Sequence, residues 1–269
     1  MKSHYVLFAA MLLGACASAP DSNEPPAPVD VDIGILWVEH AAEYQAVSAQ
    51  VYASAQRDLP RFLADPEWTA LPGEHDVIGK PPAIILDVDE TVVSNARYQE
   101  TLLYIPYTRI GHFNWMRDNP AMPIRGAAEM IAAARDAGVE VFFLTNRACE
   151  RLEGVEGECP YEQVTIDDLR EAGIETDPDH VLMAWEQPGW NKEKLNRREY
   201  LAETYRVIML FGDDYGDFVH CTRSKPLPPC TGAATRESRH AALDTYAEYW
   251  GNGWYILPNP MHGSWTTVR

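Results

Sequence analysis

The sequence has no apolar run of the roughly 20 residues that a membrane-spanning helix needs. Basic residues are also scarce, with 22 Lys and Arg against 40 Asp and Glu among 269 residues, a formal net charge of −18. A chain this acidic repels phosphate backbones, so we expect no nucleic-acid polymer among its partners. A small phosphorylated ligand would need a local reversal of this field, which a divalent cation could supply.

The N-terminus has the pattern of an export signal. Lys2 precedes a short apolar run over residues 5–13, which leads into Leu13-Gly14-Ala15-Cys16. Small residues just before a cysteine are typical of a lipoprotein cleavage site, and a secretory signal with an incidental cysteine is the alternative. We predict a signal peptide over 1–15, a lipid on Cys16 and a Pro-rich tether over 16–32. The chain would then be anchored to a membrane of the cell envelope, with the outer membrane as the expected one.

The other four cysteines form two local pairs, in a compartment where disulfides persist. Proximity favours the pairs Cys149 with Cys159 and Cys221 with Cys230, although four cysteines allow three pairings. A zinc site is the competing interpretation, but neither pair has the C-x-x-C spacing of such sites.

From residue 33 the sequence alternates between helical periodicity and short, continuous apolar runs. This alternation predicts an α/β fold with a parallel sheet covered on both faces, in one domain over 33–269. Thr165 and Asp168 have capping-box spacing and predict the start of a helix. The predicted strands are 83–86, 139–144, 181–184 and 206–211, and the predicted helices are 33–63 (one long or two shorter), 125–137, 165–172 and 193–205.

Polar residues follow these strands, at the sheet edge where open α/β folds bind ligands. Asp87 and Asp89 are two residues apart in extended chain and should face the same side. Each motif alone is weak evidence of function, but the four in this order supply the groups that phosphoryl transfer needs. In chain order they are Asp87-Val88-Asp89-Glu90-Thr91, Thr145-Asn146-Arg147, Lys194 near the start of a helix, and Gly212-Asp213-Asp214-Tyr215-Gly216-Asp217.

This order resembles the haloacid dehalogenase (HAD) superfamily of phosphohydrolases. Three further segments are similar to the class C acid phosphatases, bacterial surface lipoproteins of the lipoprotein e, 5′-nucleotidase type. These segments are Trp37 to Tyr44, Lys194-Leu195-Asn196-Arg197-Arg198 and Leu257-Pro258-Asn259-Pro260-Met261. The resemblance implies a Rossmann-like parallel sheet of the HAD type, with helices on both faces and a helical cap from 33–72 and about 96–124. Asp214 departs from it, since the family commonly has Asn there.

The resemblance also implies the roles of the site residues. Asp87 would be the nucleophile and form an aspartyl phosphate, and Asp89 would be the general acid and then the general base. Thr145 and Lys194 would hold the phosphate oxygens. Mg²⁺ would offset the clustered carboxylates. Its ligands would be Asp87, the backbone carbonyl of Asp89, and Asp213, with Asp217 and Asp214 orienting metal-bound waters.

The expected substrates are nucleoside 5′-monophosphates and other small organic phosphates. Tyr98 is the leading candidate for an aromatic residue of the substrate pocket, followed by Trp37 and Trp115, since aromatic faces stack on bases. Packing of these aromatics against the core is the simpler interpretation for any one of them. A histidine phosphatase is rejected because Arg239-His240 is followed by Ala241 and not by Gly.

Three other functions remain open at this point. The same core could act as a phosphotransferase, or the chain could be a lipid-anchored surface protein that binds haem or another cofactor. A catalytically silent interaction module is the third. Neither of the last two needs Asp87, Asp89, Thr145, Lys194 and Asp213 all intact, so we favour the enzyme.

Overall fold

A computed structural model describes residues 32–268, and a five-stranded parallel sheet lies at their centre. The strands are β1 (Pro82–Leu86), β4 (Glu140–Ala148), β5 (Val181–Ala184), β6 (Arg206–Gly212) and β7 (Trp254–Ile256), and a separate antiparallel pair is formed by β2 (Val93–Ser94) and β3 (Met122–Pro123). The sheet order is β5-β4-β1-β6-β7, and every neighbouring pair is parallel. All four predicted strands are present, and β7 was not predicted.

Eight α-helices surround the sheet in the described residues. They are α1 (Ile33–His40), α2 (Ala42–Ala64), α3 (Ala96–Thr101), α4 (Arg109–Asp118), α5 (Ala127–Asp136), α6 (Pro160–Glu171), α7 (Leu195–Thr204) and α8 (Arg236–Thr245). The sequence left one long helix or two shorter ones open over 33–63, and the structure has two, because Ala41 has an extended backbone conformation between α1 and α2. None of the helices in residues 32–268 is both long enough and apolar enough to cross a membrane.

The sheet is covered by apolar side chains on both faces. Ile84 and Leu86 of β1 pack in one core cluster with residues of α2, α5 and α6, whereas Ala83 and Ile85 pack in a second cluster with residues of α7 and β7. Alternate residues of a strand point to opposite faces, so a continuous apolar strand must be buried on both. The predicted α/β architecture is confirmed.

Helix α2 lies directly on this sheet. Tyr52, Ala55, Leu59 and Phe62 recur at helical spacing and are all buried, and Tyr52 stacks on Phe211 of β6 with ring centroids 5.6 Å apart. This apolar stripe makes α2 a layer of the core, although it falls in the segment 33–72 that we expected to belong to a cap. In the second cap segment, α3 and α4 contribute residues to the wall of a large cavity above the sheet.

Helix α6 begins earlier than predicted. Its first residue is Pro160, which suits the first turn because its missing N–H would have no partner there. Thr165 and Asp168 therefore lie inside the helix and are buried, so the predicted capping box is wrong.

Both predicted disulfides are formed, Cys149–Cys159 and Cys221–Cys230, and each closes a local loop. The predicted signal peptide, tether and lipidated Cys16 lie outside the described residues, except for Asp32.

Candidate active site

The predicted catalytic motifs meet at the carboxyl edge of the sheet, around a cavity of about 510 Å³. Asp87 and Asp89 follow β1, Asn146 and Arg147 lie near the end of β4, and Asp213 follows β6. Because β1 lies between β4 and β6, these three strand ends are neighbours and their side chains converge.

The floor of the cavity is built on Lys194, which is buried between two carboxylates. Its ammonium contacts Asp87 Oδ1 and lies 2.6 Å from Asp217 Oδ1. Burial raises the pKa of Asp87 to about 7, in spite of Lys194, and the charges of Asp217 and Asp89 add to this rise. Although burial alone would lower the pKa of Lys194, Asp217 and Asp87 raise it, so the lysine is a firmly held cation. We call Asp87, Lys194, Asp213 and Asp217 the floor cluster.

The floor cluster carries more negative than positive charge. Asp87, Asp213 and Asp217 each offer an oxygen atom within 4.8 Å of the others, and Lys194 is the one cation among them. Burial and the neighbouring Asp217, Asp87 and Glu90 charges raise the pKa of Asp213 well above its usual value. A compact set of buried carboxylate oxygens with unbalanced charge suits a hard divalent cation. These residues therefore fit the metal that the sequence predicts.

Asp217 is held by closer protein donors than Asp213, whose Oδ2 accepts a hydrogen bond from Asn259 Nδ2 at 2.7 Å but whose Oδ1 has only the Thr91 hydroxyl at 3.5 Å. Oδ1 of Asp217 faces Lys194, and its Oδ2 accepts hydrogen bonds from the backbone amides of Asp213 at 3.2 Å and Asp214 at 3.0 Å. The packing is so close that a Cβ at Gly212 would approach Asp217 Cγ to 2.6 Å. Asp217 thus fixes the loop after β6, which leaves Asp87 and Asp213 as the more available ligands.

Asp214 faces the C-terminal segment of the chain. Its Oδ1 accepts hydrogen bonds from the Gly216 amide and the Ser264 hydroxyl, both at 2.8 Å, and its Oδ2 accepts one from the Ser264 amide at 2.5 Å. Although burial acts to raise it, these hydrogen bonds lower the pKa of Asp214. Asp214 therefore ties residues 213–217 to Ser264 and is outside the carboxylate cluster.

Asp89 is held by Arg147. The Nη2 atom of Arg147 donates to Asp89 Oδ1 at 2.7 Å, and Nε lies 3.1 Å from both carboxylate oxygens. The register of β4 against β5 shifts between Thr145 and Ala148, and such an irregularity re-aims the side chains within it. Although burial acts to raise it, the Arg147 guanidinium holds the pKa of Asp89 well below its usual value.

Arg147 is itself fixed from α6. Its Nη1 donates to Asp168 Oδ2 at 2.7 Å and to the Thr165 hydroxyl at 3.0 Å. Burial raises the pKa of Asp168 to about 6, against the effect of Arg147. A chain of charged contacts thus runs from α6 through Arg147 to Asp89.

Thr145 lies below the cavity surface and is fully buried. Its hydroxyl accepts a hydrogen bond from the Arg147 amide at 3.0 Å and lies 3.5 Å from Asp89 Oδ2. The structure thus places Thr145 beside Asp89 and Lys194 beside Asp87, at one site.

One wall of the cavity is aromatic. Tyr98 lines the cavity, and its ring lies 4.6 Å from that of His112 and 6.4 Å from that of Tyr107, measured between centroids. Trp115 and Trp37, in contrast, do not line the cavity. Trp115 supports Tyr98 from behind at 5.4 Å, and Trp37 packs edge-on against Tyr44.

No role was predicted from the sequence for several polar residues of the site. Asn95 Nδ2 donates to Asp89 Oδ1 at 2.8 Å, and His262 Nε2 lies 2.9 Å from a carboxylate oxygen of the buried Glu90. Arg147 and Glu90 stand inside the quoted motifs, so their positions were a usable signal. His262 and Asp168 lie far away in sequence, and no local pattern indicates their contacts.

The family model described as HAD superfamily, subfamily IIIB (acid phosphatase), matches residues 17–265. The structure of the class C acid phosphatase from Bacillus anthracis is similar, with a TM-score of 0.67, 26% identity, and coverage of 87% of this chain and 85% of that one. A second structure of that enzyme, with tungstate bound, gives a TM-score of 0.66, 26% identity and coverage of 86% and 84%.

The family match covers most of the chain, and the matched structures share its α/β fold. The chain therefore belongs to the acid phosphatases of subfamily IIIB of the HAD superfamily.

Proposed function

We propose that this acid phosphatase hydrolyses nucleoside 5′-monophosphates and other small organic phosphates, with Mg²⁺ and through an aspartyl phosphate on Asp87. The phosphomonoesterase activity itself follows from the family and its structural relatives. The observation that carries the mechanism is the floor cluster, in which a buried lysine holds Asp87 at the carboxyl end of the central strand.

In the first half of the proposed reaction, a carboxylate oxygen of Asp87 attacks phosphorus in line with the leaving group. A phosphorus–oxygen bond to Asp87 forms as the bond to the leaving oxygen breaks, and Asp89 gives that oxygen a proton. Asp89 must first bind a proton, although Arg147 favours its charged form. The negative charge of a phosphate beside Asp89 opposes Arg147 and raises the pKa of this carboxyl.

In the second half, water attacks the phosphorus of the aspartyl phosphate. Asp89 takes one proton from the water, and the bond between phosphorus and Asp87 breaks to release phosphate. Lys194 and Thr145 would hold the non-bridging oxygens. Mg²⁺, held by Asp87 and Asp213, would neutralise charge on the phosphate and orient it.

Two observations support the substrate class. The Bacillus anthracis relative has tungstate bound, an oxyanion of phosphate-like charge and shape, and we infer that this chain, too, binds phosphate. The wall of Tyr98, His112 and Tyr107 offers aromatic faces for a base. Stacking on such faces is worth roughly 1–3 kcal/mol per base in nucleic-acid complexes.

The test is phosphate release from adenosine 5′-monophosphate and from p-nitrophenyl phosphate, with Mg²⁺ and with chelator. The wild type should release phosphate only with metal, and Asp87→Asn should lose at least about 10³-fold in kcat. Circular dichroism on the variant checks that it folds. Appreciable turnover by folded Asp87→Asn would overturn the role of Asp87, and metal-independent turnover would overturn that of Mg²⁺.

We further propose that the mature chain begins at a lipidated Cys16 and is anchored to a membrane of the cell envelope, the outer membrane being the expected one. Support comes from the sequence Leu13-Gly14-Ala15-Cys16 and the Pro-rich segment after it. Mass spectrometry of the N-terminal peptide should detect a lipid on Cys16 and none in Cys16→Ser. A mature protein that begins elsewhere would contradict the anchor.

A further inference from the structure

Three cations that are not fully buried line the cavity, and none of them belongs to the buried floor cluster. They are Arg109 at the start of α4, Lys192 in the loop before α7, and Arg223 in the loop closed by Cys221–Cys230. We call them the rim cations. In a chain with 22 basic and 40 acidic residues, three cations on one cavity rim are a local reversal of the overall charge.

Arg223 is placed there by a buried carboxylate and a backbone carbonyl. Its Nε lies 3.7 Å from Oε1 of the buried Glu193, and its Nη2 donates to the Lys192 carbonyl at 3.3 Å. The other oxygen of Glu193 accepts a hydrogen bond from the Cys221 amide at 3.1 Å. The disulfide-closed loop is thus held against the loop that carries Lys192, and the guanidinium faces the cavity.

Arg109 is placed by the other disulfide-closed loop. Its Nη1 lies 3.0 Å from Glu150 Oε2, and Glu150 directly follows Cys149. Two of the rim cations therefore have a carboxylate partner, Glu150 for Arg109 and Glu193 for Arg223.

Lys192 has no such partner. Within residues 32–268 its ammonium makes no ion pair or hydrogen bond, and it lies 5.7 Å from the centre of the Trp185 ring. Partial burial, together with Arg223 and Arg109, lowers the pKa of Lys192. The rim cations therefore include one positive charge more than their carboxylate partners balance, whereas the floor cluster holds an excess of negative charge.

Trp185 adds a second unusual feature to this part of the rim. It is 39% exposed, it lines the cavity, and its backbone has φ of +62°, a region that bulky residues rarely adopt. A hydrogen bond from its amide to the Trp190 carbonyl at 3.1 Å holds the turn. Strained backbone of this kind clusters at ligand sites, where the surrounding structure maintains it.

We propose that the rim cations form a second anion subsite, which takes a second phosphate group of the substrate while the first is hydrolysed on the floor. The substrate class is phosphomonoesters that carry another phosphate, such as nucleoside or sugar bisphosphates. This inference rests on the proposed function, in which the floor cluster hydrolyses the phosphate ester. Lys192 is the central residue of the subsite, since its charge is the one left unbalanced, and Arg223 and Arg109 complete the positive field around the second phosphate.

The test compares matched substrates: adenosine 5′-monophosphate with adenosine 3′,5′-bisphosphate, and fructose 6-phosphate with fructose 1,6-bisphosphate. The readout is the ratio of kcat/KM, bisphosphate over monophosphate, from initial phosphate release. We expect a wild-type ratio of about 10 or more in at least one pair, falling about 10-fold in Lys192→Gln and shrinking with added salt. Lys225→Gln, an exposed lysine of the same disulfide-closed loop that does not line the cavity, is the matched control and should keep the wild-type ratio.

Ratios near 1 in both pairs, or a ratio that Lys192→Gln leaves unchanged, would overturn the subsite while the phosphatase assignment stands. If the wild type releases phosphate from no compound, the proposed function fails instead. The subsite is then decided by calorimetry with adenosine 3′,5′-bisphosphate. Binding that weakens about 10-fold in Lys192→Gln supports it, and absent or equal binding overturns it.

Discussion

The floor and the rim of the cavity are built in different ways. Each floor carboxylate follows a buried strand, and Lys194 lies at the start of a helix, so the positions of these side chains are set by the sheet. Of the rim cations, Lys192 and Arg223 lie in loops and Arg109 is the first residue of α4, and Arg109 and Arg223 are positioned by segments that disulfides close. In the functions proposed for them, the chemistry would depend on side chains placed by the sheet, whereas selection of the substrate would depend on segments that can change without disturbing the sheet.

The strongest test of this contrast is to remove the one cation of the floor. Lys194→Met should lower kcat by at least about 10³-fold, because Asp87 and Asp217 then repel each other and no ammonium holds the phosphate. It should also lower the free energy of unfolding by about 3–5 kcal/mol at neutral pH, since two buried carboxylates lose their partner. Steady-state kinetics and urea unfolding measure the two effects. Near-normal activity would show that the floor cluster is not the reaction centre.

A second test compares two adjacent aspartates in the loop after β6, Asp213 and Asp214. Asp213→Asn should raise the Mg²⁺ concentration for half-maximal activity by at least about 10-fold, because it removes a charged oxygen ligand. Asp214→Asn is the matched control, since Asp214 lies outside the carboxylate cluster and its oxygens accept hydrogen bonds from Gly216 and Ser264. It should leave the metal titration within about 2-fold of wild type. Equal shifts in the two variants would contradict the distinction between them.

Removing a contact behind the floor cluster should have a smaller effect on kcat/KM, and one that depends on the leaving group. Asp168→Asn leaves Arg147 with one carboxylate partner and loosens its hold on Asp89. Because a poor leaving group needs the general acid most, kcat/KM should fall about 10-fold for an alkyl phosphate and less than about 3-fold for p-nitrophenyl phosphate.

Asp167→Asn is the control for this experiment, since Asp167 is the neighbouring residue and pairs with Arg170 on the surface of α6. It should change neither rate. If Asp168→Asn lowered both rates equally, the contact from α6 would be merely structural.

The same contrast explains how much could be predicted from the sequence. Strands β1, β4, β5 and β6 are recognisable because continuous apolar runs signal strands buried on both faces, and the catalytic motifs follow from their ends. Strand β7 has only three residues, Trp254–Ile256, and aromatic side chains there indicate neither strand nor helix period. The start of α6 was misplaced because Thr165 and Asp168 satisfy a capping pattern, while their actual partner, Arg147, is distant in sequence.

The rim was not predictable for a related reason. Proximity alone favoured the two disulfide pairings. No local sequence pattern indicates that Arg223 contacts Glu193 and the Lys192 carbonyl, or that Arg109 pairs with Glu150. The same holds for Trp37 and Trp115, whose sequence contexts do not distinguish a packed aromatic from one that lines a cavity. Tyr98 lines it because α3 places its ring against His112 of α4.

The aromatic wall lines the same cavity, and acid should affect it through His112. Burial lowers the pKa of His112 to about 4. The charges of Arg147 and His262 also lower it, whereas the Asp89 carboxylate acts to raise it. The unfolded chain binds this proton at about pH 6.5, so the neutral ring stabilises the fold above that pH, and the contribution is lost as pH falls from about 6.5 towards 4. Urea unfolding at pH 7 and pH 4.5 should show wild type losing on the order of 1–2 kcal/mol relative to His112→Gln. His40→Gln is the control and should lose stability as the wild type does, because the His40 ring is exposed on α1. Equal losses for His112→Gln and wild type would mean that the fold does not hold the His112 ring neutral.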